Sequence, residues 1–415
     1  MRQAIRTGSG DRLFRVLMYG LILASAAAQF ALVPVLPVYA HRFGLSGFQQ
    51  GTVLGATGLA CLAVSVPAGT LSDRFGARRL TLAAGLLMAA ATLAQALADG
   101  FPALLAARLA FGTGYGMVWT AGLCWLAGAA NGPGALSGSV ASAGVGGVAG
   151  PAASGALTEH LGLAVPLLAG AAGFAVITAG LAALRLAPGP SAGRPAVAPG
   201  RRAAARDSAI IGAAAAVVTA GVSTGACALL VPAQLHVAGA SAGQIGLAFA
   251  AAGILFAVGS AMIAAAGRRA VHLRVLGGGM VALTAALCVG VLSTAPGALI
   301  AMLCATTAAR SVLWTVSYPL AAAAAERRDV GLGTVVGLLN GIWAATAVLG
   351  PLAAGLANQH LGGRAAFGLT DAACAGALAV TTAAAWRSRG RGRGPAGDGP
   401  GRDLATADTV PTAVP

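Results

Sequence analysis

Three ionisable residues stand inside long apolar runs of this 415-residue chain, where a charge is costly unless it serves something. Arg108 opens a stripe in which Gly112, Tyr115 and Trp119 follow at i+4, i+7 and i+11, on one face of a helix. Arg310 begins a similar stripe with Trp314 and Tyr318. An arginine bordered by aromatic rings can hold a carboxylate or phosphate through paired hydrogen bonds, or a π-rich molecule by stacking. The structural alternative is an arginine bonded to backbone carbonyls or reaching outward to the membrane edge. Arg310 is the deeper of the two, about 21 Å along its helix at ~1.5 Å per residue from Pro296. Asp371 is the one acid well inside an apolar run and could carry a proton, although pairing with Arg364 competes for it. Gln29 is the uncharged polar candidate.

The elements that must hold these groups are set by composition. The chain is 57% hydrophobic and 9% charged, whereas a soluble protein carries about a quarter charged residues. Its apolar runs reach the length of about 20 residues that a bilayer requires, and only helices satisfy their own backbone there. The expected spans are 13–40, 50–71, 79–98, 102–126, 137–158, 164–186, 209–234, 244–266, 274–293, 297–322, 332–357 and 364–386. The first is a retained helix and not a cleaved leader, because its apolar run continues to Tyr39. Residues 187–208, rich in Pro, Gly, Ala and Arg, read as a linker. The tail 387–415 reads as disordered.

The net charge of +15 does not point to nucleic acid. Of the 26 basic residues, all arginine, 22 fall on the side shared by the two chain ends and only Arg42 and Arg364 on the other. That asymmetry orients membrane helices with both termini in the cytoplasm. The six cysteines lie in apolar runs without C-x-x-C spacing, so neither a disulfide framework nor a metal site is expected. No phosphate-binding Gly-Lys loop is present, and no nucleophile, base and acid are spaced for catalysis, so the chain does not read as an enzyme.

The sequence also repeats itself. Residues 36–51 align with 231–246, matching His41 with His236, Gly44 with Gly239, Ser46 with Ser241, Gln49 with Gln244 and Gly51 with Gly246. Gly150, Pro151, Gly155 and His160 likewise match Gly350, Pro351, Gly355 and His360. Duplicated halves place a substrate path between them near the mid-membrane. The turn 69–79, Gly-Thr-Leu-Ser-Asp-Arg-Phe-Gly-Ala-Arg-Arg, is not repeated, since Asp73 aligns with Arg268. Pro67 and Gly69 are expected to end the helix before it.

That turn resembles the G-x-L-x-D-R-x-G-R-R loop between helices 2 and 3 of the major facilitator superfamily, with Ala77 displacing the arginine pair by one position. Residues 108–116 resemble the family's Arg/Gly pattern on helix 4. Residues 146–155 resemble the helix 5 Gly/Pro pattern of its antiporters, with Ser154 where a second Gly is usual. The resemblance implies an all-α polytopic membrane protein with twelve transmembrane helices in two pseudo-symmetric six-helix bundles, 13–186 and 209–386. It implies a conformational gate at Gly69, Asp73, Arg74, Gly76, Arg78 and Arg79. It places helices 4 and 10, with Arg108, Tyr115, Trp119, Arg310, Trp314 and Tyr318, at the central cavity, beside the polar candidate Gln29 of helix 1; it sets helix 12 at the periphery, while Arg108 and Asp371 stand as the ionisable candidates for proton coupling. Gly146, Gly150, Pro151, Gly155, Gly350, Pro351 and Gly355 then belong to helices meeting where the halves join. Ser142, Gly146, Gly150 and Ser154 also form one small-residue face, suited to tight packing or to closing the cavity.

The expected function is secondary active transport of a small organic molecule by alternating access, with proton-coupled export favoured. The alternatives are an uptake permease for an organic anion or another small metabolite, and a polytopic membrane protein without transport. No acid lies mid-helix in helices 1, 2, 4, 5, 7, 8, 10 or 11, which argues for a neutral or anionic substrate. Removing the Arg310 charge is expected to stop transport. No cofactor beyond an ion gradient, a plasma-membrane location, the lipid bilayer as surroundings and a monomer complete the expectation.

Overall fold

In the computed structural model, residues 8–129, 133–184, 207–328 and 332–391 are described. They form twelve membrane-scale helical segments. The first half holds α1 (Gly8–Phe43), α2 (Gly47–Phe75), α3 (Ala77–Ala96), α4, α5 (Pro133–Leu161) and α6 (Val165–Ala183). The segment α4 has three parts, Phe101–Met117, a π-helical turn Val118–Gly122, and Leu123–Ala129. The second half holds α7 (Ser208–Val237), α8 (Ala242–Ala266), α9 (Leu273–Leu292), α10 (Pro296–Arg327), α11 (Leu332–Leu361) and α12 (Gly363–Arg391). Ten of these helices are long and apolar enough to cross a membrane; α2 and the divided α4 complete the set. The expected linker lies almost wholly outside the described residues, as does the tail beyond Arg391. Asp207 accepts from the Ala209 amide and caps α7.

One expected boundary is wrong. Pro67 and Gly69 do not end the second helix, which runs on to Phe75. A proline inside a helix removes one backbone bond and adds one local clash, which flanking turns can outlast when neighbouring helices hold them. The break comes at Gly76, whose φ of +87° suits a residue without Cβ.

The repeated residues occupy equivalent ends. Gly44 and Gly239 close α1 and α7 with φ of +63° and +88°, and Gly162 and Gly362 follow α5 and α11 with φ of +102° and +81°. Ser46 with Gln49, and Ser241 with Gln244, form matching capping boxes at the starts of α2 and α8. All of these lie at the far end of the bundle, remote from the start of α1 and the end of α12. The opposite one is the terminal end.

The halves meet at the far end. There α2 packs on α11 and α5 on α8, with α1 touching α7 and α8. One buried core runs across this joint, from Leu36, Tyr39 and Val53 in the first half to Val231 and Leu235 in the second. A separate core at the terminal end of the first half, built on Phe14, Met18, Phe111, Trp125 and Phe174, stays within that half.

Candidate functional site

At the centre of the bundle both halves wall a cavity of about 100 Å³. The first half contributes Gln29, Phe30 and Val33 of α1, Leu54, Thr57, Gly58 and Cys61 of α2, and Tyr115 of α4. The second contributes Gly221, Thr224, Gly225 and Ala228 of α7, and Trp343, Ala347 and Pro351 of α11. At ~30 Å³ per water this is room for about three waters. Thr57 brings a buried hydroxyl with no bonding partner to this wall.

Arg108 sits one layer behind the wall, with 0% of its surface exposed. Its Nη2 donates to Gln29 Oε1 at 3.2 Å, while Nε and Nη1 have no partner. The guanidinium lies 5.3 Å from the Phe111 ring centre. A buried cation with two unanswered nitrogens is costly, and its one polar contact leads to the cavity. The charge is thus presented through Gln29.

The other expected cavity residues divide. Tyr115 lines the cavity and lies 5.9 Å from Trp119, which belongs to the π turn of α4 and does not reach the wall. Arg310 does not reach it either: it is 7% exposed, donates to Thr307 Oγ1 on its own helix and lies against Cys227 of α7. Trp314 stacks on Tyr318 and meets Trp343 edge-on at 6.4 Å, so this stripe braces a wall residue from behind. Tyr318 donates to Asn340 Oδ1 at 2.8 Å. Asp371 accepts from Cys288 Sγ on α9 at 3.2 Å and not from Arg364, away from the cavity lining.

The joint above the cavity is a backbone seam. A Cβ on Gly155 would overlap the carbonyl oxygen of Ala242, and one on Gly355 that of Gly47. Gly51 and Gly246 lie in the same way against the carbonyls of Pro351 and Pro151. Helices 5 and 11 therefore each join the opposite half and do not pair with one another. Gly146, Gly150 and Ser154 face α1, the last donating to the Ala31 carbonyl at 2.6 Å, and Gly350 faces α7. That small-residue face packs the first half together.

Side chains fasten the seam. Glu159 at the end of α5 accepts from Ser241 Oγ at 2.9 Å and from the Gly243 amide at 3.1 Å, at the start of α8. In the same register Gln359 at the end of α11 accepts from the Phe48 amide at 3.2 Å, at the start of α2. An ionised acceptor at a helix start is the stronger of the two kinds. Glu159→Ala is expected to raise the ratio of parted to closed far ends about fivefold. The readout is the distance between spin labels on Leu97→Cys and Val237→Cys, both exposed at that end, in a background lacking the six free cysteines.

At the terminal end, Arg78 donates to the Ala182 and Leu184 carbonyls at 2.9 and 3.1 Å, holding the 69–79 turn to α6. Arg74 is exposed beside Phe75, and Arg79 is exposed. Gly69 meets nothing within 4 Å where its Cβ would stand. The Asp73 side chain lies outside those described.

Sequence reasoning passed over Thr57, Thr224, Trp343 and Glu159. The threonines look like small packing residues in an apolar run. Glu159 was traceable, because the second repeat sets it opposite Gln359.

A sequence profile of the Major Facilitator Superfamily matches residues 18–233 and 212–410. No curated protein matches the chain in sequence. Among solved structures, a bacterial homolog of the human lysosomal transporter Spinster, in its inward-facing and unoccupied conformation, is similar with a TM-score of 0.75 at 16% identity. That match covers 94% of this chain and 100% of the other. The same homolog in its inward-facing and occupied conformation gives 0.72 at 16% identity, over 90% and 96%. The nucleoside transporter NupG gives 0.70 at 13% identity, over 89% and 99%. With both six-helix halves matched and the fold shared, the chain belongs to the Major Facilitator Superfamily of multi-pass membrane transporters.

Proposed function

We propose that the protein is a secondary transporter of the plasma membrane that exports a small neutral or anionic organic molecule against a proton gradient. The observation that carries the reading is the cavity itself: both halves wall it, no acid among the described residues lines it, and the Arg108 charge stands behind Gln29. A cationic substrate would meet like charge there and find no carboxylate to balance it. The arginine excess supports placing the terminal end in the cytoplasm. Closure at the far end then corresponds to an inward-open state. In the opposite state Asp73 and Arg74 latch the terminal end and gate the switch. The Gly/Pro pattern of α5 supports export. The working unit is a monomer, and the proton gradient stands in place of any cofactor.

The test is proton flux in vesicles holding the purified full chain, screened with anionic, neutral and cationic compounds. Anionic or neutral compounds are expected to drive a flux that cations do not. Flux with cations alone, or transport with no proton movement, overturns the reading.

A further inference from the structure

Seven prolines stand inside the helices: Pro34 and Pro37 in α1, Pro67 in α2, Pro151 in α5, Pro232 in α7, Pro319 in α10 and Pro351 in α11. Each lacks the N–H that would bond the carbonyl four residues earlier. The freed carbonyls are fixed by counting: Phe30, Val33, Ala63, Gly147, Ala228, Thr315 and Ala347. Four of the seven, Phe30, Val33, Ala228 and Ala347, belong to residues that line the central cavity. No side-chain donor among the described residues reaches any of these four oxygens. At membrane depth a backbone oxygen that has lost its regular helical partner is tolerated where the helix adjusts locally or where it meets a wet or ligand-filled space, and such a space adjoins all four residues.

We propose that the proline-freed carbonyls of Phe30, Val33, Ala228 and Ala347 form the acceptor lining of the substrate site, which selects molecules carrying several N–H or O–H donors. Two come from each half, so one bound molecule can bond to both bundles at once. Thr57 belongs to the same lining, and its buried hydroxyl has no partner to give up if a ligand reaches it. Gln29, whose Oε1 accepts from Arg108 and has capacity for a second donor, lines the same cavity. The aromatic edges of Tyr115 and Trp343 border the same space, which favours a flat, donor-rich compound over a flexible aliphatic one. This rests on the cavity being the substrate site and adds the chemistry of what it takes.

The experiment is equilibrium binding to the purified full chain in detergent, with no gradient imposed. The probes are matched pairs: catechol against its dimethyl ether, and benzamide against N,N-dimethylbenzamide. The donor-bearing member is expected to bind at least about tenfold tighter, at roughly threefold to tenfold per hydrogen bond. Pro34→Ala, Pro232→Ala and Pro351→Ala each restore an amide that claims one carbonyl, and each is expected to shrink the preference about threefold or more. Pro319→Ala frees nothing at the cavity and is expected to leave the preference whole. Equal binding within each pair, no binding of the donor-bearing members, or a full preference surviving all three variants overturns the proposal. Because no proton gradient enters, these outcomes are independent of whether transport is proton-coupled.

Discussion

Gly155→Ala is expected to cut transport about fivefold or more while leaving the two bundles folded. The added methyl would enter the space of the Ala242 carbonyl oxygen across the α5–α8 crossing. Backbone is on both sides of that contact, so no rotamer change can relieve it. Overpacking of this kind costs roughly 1–3 kcal/mol, which is about a fivefold to 150-fold shift in equilibrium. That cost falls only on the closed far end, since the clash disappears when the halves part. Transport rate and thermal unfolding, measured on the same preparation, separate the two effects: the first should fall steeply and the second little. Gly355→Ala strikes the α2–α11 crossing against Gly47 and should act alike. A wild-type rate in both variants would mean that the seam observed here does not form during the cycle.

The second large effect is expected at Arg108. Arg108→Met keeps much of the side-chain volume, removes the charge and releases Gln29 from its one observed bond. Transport is expected to fall about 100-fold or more, a loss of about 2.7 kcal/mol. Thermal stability should change far less, because a buried cation with unanswered nitrogens stabilises the fold poorly. Arg108→Lys is not expected to rescue, since an ammonium lacks the planar fork that meets Gln29 and Phe111 together. Arg310→Met serves as the contrast. Arg310 contacts Thr307 and Cys227 and not the wall, and its Nη1 too lacks a partner, so its loss should leave transport within about threefold and change stability little. The reverse ranking, with Arg310 essential and Arg108 dispensable, would place the substrate charge in the second bundle.

The fold was largely readable because its signals are local. Apolar run length marks each span, the arginine excess pairs with the turns, and the duplicated Ser-x-x-Gln and Gly residues mark equivalent helix ends. The second helix was cut short because Pro67 and Gly69 are helix breakers in isolation, whereas packing of Val64 and Ala68 against Leu80 of α3 and Ala121 of α4 carries the chain on to Gly76. The cavity was readable only in part. Helical spacing puts Arg310, Trp314 and Tyr318 on one face, but spacing does not say which neighbour that face meets. Arg310 meets α7, while Trp314 reaches Trp343 on α11, and the division between them depends on tertiary contacts. Thr57, Thr224 and the proline-freed carbonyls leave no charge or aromatic signature. They acquire meaning only when α1, α2, α7 and α11 are set around one space.

The matching caps at Ser46 and Ser241 have an electrostatic result for the open state. Every helix start presents amides without internal partners and a partial positive charge. In the closed form the starts of α2 and α8 are covered by Gln359 and Glu159. When the seam parts, each start is uncovered opposite its former cover, the α2 start facing Gln359 and the α8 start facing the Glu159 carboxylate. The outward mouth then carries its net anion attraction on the α2–α11 side alone, where a negatively charged cargo would linger in dilute salt and leave more easily as ionic strength rises.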